Sequence, residues 1–142
     1  MKILAVTGGI GSGKSEVCRI LAENGLTLQY NADSRAKALY VERPGLLEEI
    51  EKELGGRFTD EDGSFVPSRL ASVIFSDDAA LKKVEALLFP EMIRDFRRKM
   101  NDVAQDQIVV FESATFLEKK QFDGFADIVL LVDAPFEMRL ER

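Results

Sequence analysis

Three observations predict an α/β protein built on a parallel sheet. Short strand-like runs recur at residues 2–7, 26–30, 108–112 and 128–133, the first of them apolar as expected of a strand buried on both faces of a parallel sheet. A segment with helical spacing separates the first two runs, giving the strand–helix–strand order of a parallel crossover. Between the first run and that helix lies a glycine-rich stretch, Gly8-Gly9-Ile10-Gly11-Ser12-Gly13-Lys14-Ser15.

The elements come in order along the chain. Residues 2–7 form the first strand, and Lys14 to Asn24 a helix with Val17, Ile20 and Leu21 on one face. Gly25 is placed to cap its C-terminus. Residues 26–30 form a second strand, and Asn31-Ala32-Asp33 opens a helix reaching about Val41. Pro44 begins a helix whose Leu46, Leu47, Ile50 and Leu54 share a face, stopped by Gly55-Gly56. Residues 57–66 are turn-rich, Ser68 to Phe75 is a short helix, and Asp77 to Ala104 reads as long helical sequence. Pro90 interrupts it, with a break or kink expected near Phe89. Strands return at 108–112 and 128–133, and Pro135 suits the first turn of a final helix.

With 142 residues, 46% hydrophobic and 31% charged, the chain has the composition of one globular domain. No apolar run reaches the roughly 20 residues of a membrane span, and the apolar start is too short for a signal peptide. The chain is read as cytoplasmic, with no membrane partner. The net charge of −6 disfavours nucleic acid. Arg94, Arg97, Arg98 and Lys99 alternate with Glu91, Asp95 and Asp102, which reads as a solvated helix face. Cys18 is the only cysteine, so no internal disulfide forms, and the absence of histidine removes imidazole chemistry.

The glycine-rich stretch carries the chemistry. Gly8, Gly13, Lys14 and Ser15 satisfy the P-loop pattern G-x-x-x-x-G-K-[ST] in its required strand–helix setting. Glycines let the backbone approach phosphate oxygens, and successive N–H groups at a helix start present positive charge to them. Lys14 is expected to reach the β- and γ-phosphates of ATP, and the Ser15 hydroxyl to ligate Mg²⁺. The Asn-Lys-x-Asp motif that reads guanine does not occur. Glu112 and Asp133 end later strands, where a carboxylate can hold a metal's water shell or cap the next segment. Asp33 lies just past the second strand, at the carboxyl end where ligands of parallel sheets bind. There it can orient an acceptor hydroxyl and take its proton, or cap a helix N-terminus. Both readings stand at this point.

Together these residues resemble the dephospho-coenzyme A kinase family. The likeness is carried by LAVTGGIGSGKSEV at 4–17, by Asn31-Ala32-Asp33, by residues 62–93 and by ADIVLLVDAPFEMRLER at 126–142. It implies a P-loop NTPase fold of the nucleotide-kinase kind with a helical substrate-binding insert. Residues 1–43 and 105–142 would form the nucleotide-binding core and residues 44–104 the lobe for the coenzyme A portion. It implies ATP and Mg²⁺ as cofactors and dephospho-coenzyme A as substrate, phosphorylated on its ribose 3′-hydroxyl in the last step of coenzyme A biosynthesis. Asp33 and Lys14 would be catalytic, and Gly8, Gly9, Ile10, Gly11, Ser12, Gly13, Lys14 and Ser15 would hold the nucleotide. Arg69 matches a recurring arginine without an assigned contact.

Phe89 stands where the family has His. Asn31 replaces the first aspartate of an Asp-Ala-Asp triplet, removing charge without removing the base. Glu112 and Glu118 match the usual strand-end pattern only loosely. Family members continue beyond the match to Arg142 into an arginine-bearing lid and a further strand. The chain is therefore expected to be truncated, with its last strand and lid missing, Ile128–Val132 as an apolar sheet edge and little turnover. A monomer or weak homo-oligomer is expected. The alternatives are another P-loop small-molecule or nucleotide kinase, and a nucleotide-binding module with no acceptor.

Overall fold

The computed structural model describes residues 1–9 and 11–133; Ile10 and the helix expected from Pro135 lie outside them. Its elements are β1 (Lys2–Thr7), α1 (Lys14–Glu23), β2 (Gln29–Asn31), α2 (Ala32–Glu42), α3 (Pro44–Leu54), α4 (Pro67–Ser76), α5 (Asp78–Lys99), β3 (Ile108–Glu112) and β4 (Ile128–Leu131). The chain divides into two compact units, Met1–Ser34 with Lys99–Arg142, and Arg35–Arg98.

The first unit is a four-stranded sheet in the order β2-β3-β1-β4, with every pairing parallel. Register sorts the side chains by face, since alternate residues point to opposite sides. Val6 and Val110 pack with Cys18 of α1, and Leu4, Val17 and Leu21 close around them. On the opposite face Phe111 is register-paired with Ala5 and with Tyr30. Alanine leaves room for the ring, and Tyr30 stacks on it at 5.4 Å between centroids. Phe116, Phe122 and Phe125 join Phe111 edge-on, at 6.1, 5.5 and 4.9 Å. This cluster ties the segment after β3, with its two 3-10 turns Phe116–Glu118 and Lys120–Phe122, to the sheet. Among the described residues β4 is an edge strand, with Ile128 and Leu131 both about 60% exposed.

β2 is shorter than residues 26–30 and begins later. The reason is the end of α1: Leu26 N–H donates to Leu21 O and Gly25 N–H to Ala22 O, with Gly25 at φ 101°. That double closure of a helix C-terminus uses Leu26 before it could enter a ladder.

The second unit is helical. Leu46, Leu47 and Ile50 of α3, Leu70 of α4, and Val84, Leu88, Phe89, Met92 and Phe96 of α5 are buried. Asp77 caps α5 by accepting from Ala79 and Ala80 N–H, a contact worth about 1 kcal/mol. Of the break or kink expected near Phe89, a break does not occur: α5 continues through Pro90. Proline removes one helical donor there, but buried residues on both sides of it hold the two halves in one helix. α5 stops at Lys99 rather than at Ala104, because residues 100–107 turn instead: Val103 N–H donates to Met100 O and Gln107 N–H to Ala104 O. No helix among the described residues is long and apolar enough to cross a membrane.

Candidate active site

The glycine loop leaves β1 after buried Thr7 and enters α1 at Lys14. A Cβ on Gly8 would lie 2.4 Å from Val132 O and 2.5 Å from Ser12 Oγ, so only glycine fits there. Gly11 and Gly13 adopt φ of 75° and 97°, which glycine reaches without steric cost. Ser12 N–H donates to Gly9 O and tightens the turn. Gly13 precedes α1 with no side-chain cap, so the N–H groups of the first helical turn, which lack intrahelical acceptors, keep their donors for a ligand. Gly9, Gly11, Ser12, Gly13, Lys14, Ser15 and Glu16 line a concavity of about 440 Å³. Lys14 is half-buried and Ser15 exposed. Glycines shaped to admit backbone close to a ligand, uncapped N–H groups, a lysine and an exposed hydroxyl fit a polyphosphate with its cation. Among the described residues no cluster of three or more acidic or cysteine side chains forms a metal cage.

The second group of polar residues sits where β2 and β3 end. Asn31 caps α2: its Oδ1 accepts Ser34 N–H at 3.1 Å. That leaves Asp33 out of the capping position. Its exposed carboxylate instead accepts Ala114 N–H at 3.1 Å through Oδ2, which holds it to the backbone just beyond β3. Asn31 and Glu112 are register partners, and Asn31 Nδ2 donates to Glu112 Oε2. Glu112 is 6% exposed, and its Oε1 is buried with no N–H or O–H donor among the described residues. Burial and the adjoining Glu112 carboxylate push the Cys18 thiol up to about 12. Asp133, beyond β4, and Glu118, in the first 3-10 turn, are both exposed.

The family model and the curated relatives name one family. The pattern described as dephospho-CoA kinase matches residues 2–142. The dephospho-CoA kinase of Porphyromonas gingivalis is 37% identical over the whole chain, which covers 68% of that protein. That of Fusobacterium nucleatum is 31% identical over 99% of the chain and 70% of its own length. A crystal structure from Thermus thermophilus superposes with a TM-score of 0.81 at 29% identity, covering 99% of this chain and 69% of that one. The chain belongs to the dephospho-CoA kinase family. Like other members it is an α/β P-loop kinase that uses ATP.

Two further positions of this member of the dephospho-CoA kinase family have contacts within the helical unit. Phe89 is buried in the helical unit at 7% exposure. Arg69 points its guanidinium at the chain itself: Nη1 donates to Thr59 O at 2.6 Å, holding the turn before α4. Sequence reasoning missed two hydrogen bonds, the one from Ala114 N–H to Asp33 and the one from Asn31 to Glu112. The second had a signal, since an amide and a carboxylate ending neighbouring strands are natural partners once the strand order is known.

Proposed function

We propose that the chain phosphorylates the ribose 3′-hydroxyl of dephospho-coenzyme A with ATP, the final step of coenzyme A biosynthesis, with Asp33 as the group that receives the hydroxyl proton. The observation that carries this reading is the Asp33 carboxylate, exposed at the carboxyl end of the sheet and anchored there by Ala114 N–H. A base must be held still yet stay accessible, and this one is.

Gly8, Gly9, Gly11, Ser12 and Gly13 would cradle the phosphates through backbone N–H groups, and Ile10 completes that stretch of sequence. Lys14 would draw charge from the transferring phosphoryl group. The Ser15 hydroxyl would hold Mg²⁺, an ion commonly bound by one or two protein groups plus substrate phosphates. Bound there, ATP and the ion supply an activated phosphoryl group. Asp33 would orient the acceptor hydroxyl for in-line attack and take its proton as the oxygen–phosphorus bond forms.

The helical unit would hold the coenzyme A portion. A cavity of about 740 Å³ there, lined by Tyr40, Leu47, Glu51, Arg57, Thr59 and Phe65, supports that reading by its size and mixed lining.

Asp33→Asn tests the assignment. Phosphoryl transfer to dephospho-coenzyme A should fall by roughly 10²–10⁴-fold, the usual contribution of a positioned base, while ATP affinity measured by titration stays near that of the parent. Unchanged transfer would remove Asp33 as the base.

A further inference from the structure

The cavity of the helical unit is a gap held open by contacts among the residues that line it. One wall is α3, with Leu47, Glu48 and Glu51, and the other is the turn between α3 and α4. That turn keeps its shape through a bridge between Thr59 and Phe65, and through Asp60 Oδ1, which accepts Ser64 N–H at 2.9 Å. It is pinned at three points. Phe58 N–H donates to Glu51 Oε2 at 2.8 Å, Arg69 Nη1 donates to Thr59 O at 2.6 Å, and Phe65 packs on Tyr40 with ring centroids 5.2 Å apart. The walls therefore stand apart around about 740 Å³, and a ligand finds its site already formed.

The lining selects among the parts of dephospho-coenzyme A. Its carboxylates, Glu48 and Glu51, are balanced by one cation, Arg57, so a pyrophosphate would meet net negative charge. The Tyr40 and Phe65 rings lie against each other, 36° from parallel, rather than apart as a slot for a flat purine. What fits is a narrow, uncharged chain of amides and methyl groups. Val41, Leu47 and Phe65 offer it apolar surface. The Tyr40 hydroxyl meets no protein donor or acceptor among the described residues. Burial, then the charge of Glu85, pushes this hydroxyl up to about 12, so it keeps its proton and can donate to an amide carbonyl.

We infer that this cavity takes the pantetheine arm of the acceptor, with the Tyr40 hydroxyl donating to one of the arm's amides. The inference rests on the reading of dephospho-coenzyme A as the substrate, and it names the part of that molecule the helical unit recognises. Tyr40 takes no part in the transfer itself. It binds the acceptor through a region remote from the reacting hydroxyl, where contacts sort one acceptor from another.

Titration calorimetry tests this, with the glycine loop filled by a non-hydrolysable ATP analogue. Two acceptors are compared: dephospho-coenzyme A, and AMP, which keeps the ribose 3′-hydroxyl but lacks the arm. Tyr40→Phe removes only the hydroxyl, and Val41→Trp takes up cavity space from a residue that is 66% exposed. Tyr40→Phe should raise the Kd for dephospho-coenzyme A roughly three- to tenfold, the usual share of one hydrogen bond. Val41→Trp should raise it further by excluding the arm. Neither should change the Kd for AMP or for the ATP analogue. An affinity for dephospho-coenzyme A that either variant leaves unchanged would overturn the inference, as would equal losses for the two acceptors. The reading beneath it fails in another way: a parent chain that binds no dephospho-coenzyme A is not its kinase, whereas parent binding that both variants leave intact removes only this cavity.

Discussion

Gly8 and Gly9 are adjacent in sequence and identical in type, yet the space around them differs. A methyl group on Gly8 would collide with Val132 O and Ser12 Oγ, while one on Gly9 would meet nothing within 4 Å. Gly8→Ala should therefore cost about 1–3 kcal/mol through forced backbone movement and abolish measurable ATP binding. Gly9→Ala should leave the folded loop in place, with a denaturant midpoint close to that of the parent. Equal losses of stability from the two would contradict the geometry. The motif made the loop legible from the sequence, but not this difference, because the atoms that exclude a side chain at Gly8 include a carbonyl from residue 132. Asp33 shows the same limit. Its position past a strand left a base and a cap equally open, and the capping contact went to Asn31, which takes Ser34 N–H, a competition between neighbours that position alone does not rank.

Helices were easier to read than their joints. α3 ended at Gly55 as its sequence requires, with φ of 70°. The apparent break at Pro90 did not materialise, because burial of residues on both sides outweighs one missing donor. Between α2 and α5, which enter the same helical unit, lies a contact that no local pattern predicts. Arg35 forks onto Asp95, with Nε to Oδ2 at 2.9 Å and Nη2 to Oδ1 at 3.0 Å, and also meets Glu42. Asp95 is 5% exposed, and these bonds hold the Arg35 guanidinium above its usual range. Arg35→Ala would strip both fork bonds from a buried carboxylate and should destabilise the helical unit by about 3 kcal/mol. Arg35→Lys should recover only part of this, since an ammonium cannot make the paired contact. Chemical denaturation checks both, and an Arg35→Ala variant as stable as the parent would show that Asp95 is held by other groups.

For the molecule as a whole, the Cys18 thiol links stability to alkaline pH. Its value rises from 9.0 to about 12 on folding, chiefly by burial and then by the Glu112 carboxylate. The unfolded chain thus loses this proton first. The contribution is complete below about pH 9 and is lost as pH rises through about 12. Cys18→Ala should flatten that part of the stability curve, and the native thiol should resist labelling at about pH 8 until denaturant is added. Fast labelling of the folded protein would disprove the burial. The sheet has a consequence of another kind. β1 and β2 are the first strands made, but they do not pair with each other: each lies against β3, Lys2 opposite Ile108 and Gln29 opposite Val110. A growing chain therefore cannot begin its sheet until residues 108–112 have been synthesised. During that interval β1 and the phosphate loop wait without partners, while Arg35–Arg98 is already complete. The glycine loop is made early, yet its strand meets its first sheet partner only with β3, a pairing across about a hundred residues of the kind that slows folding.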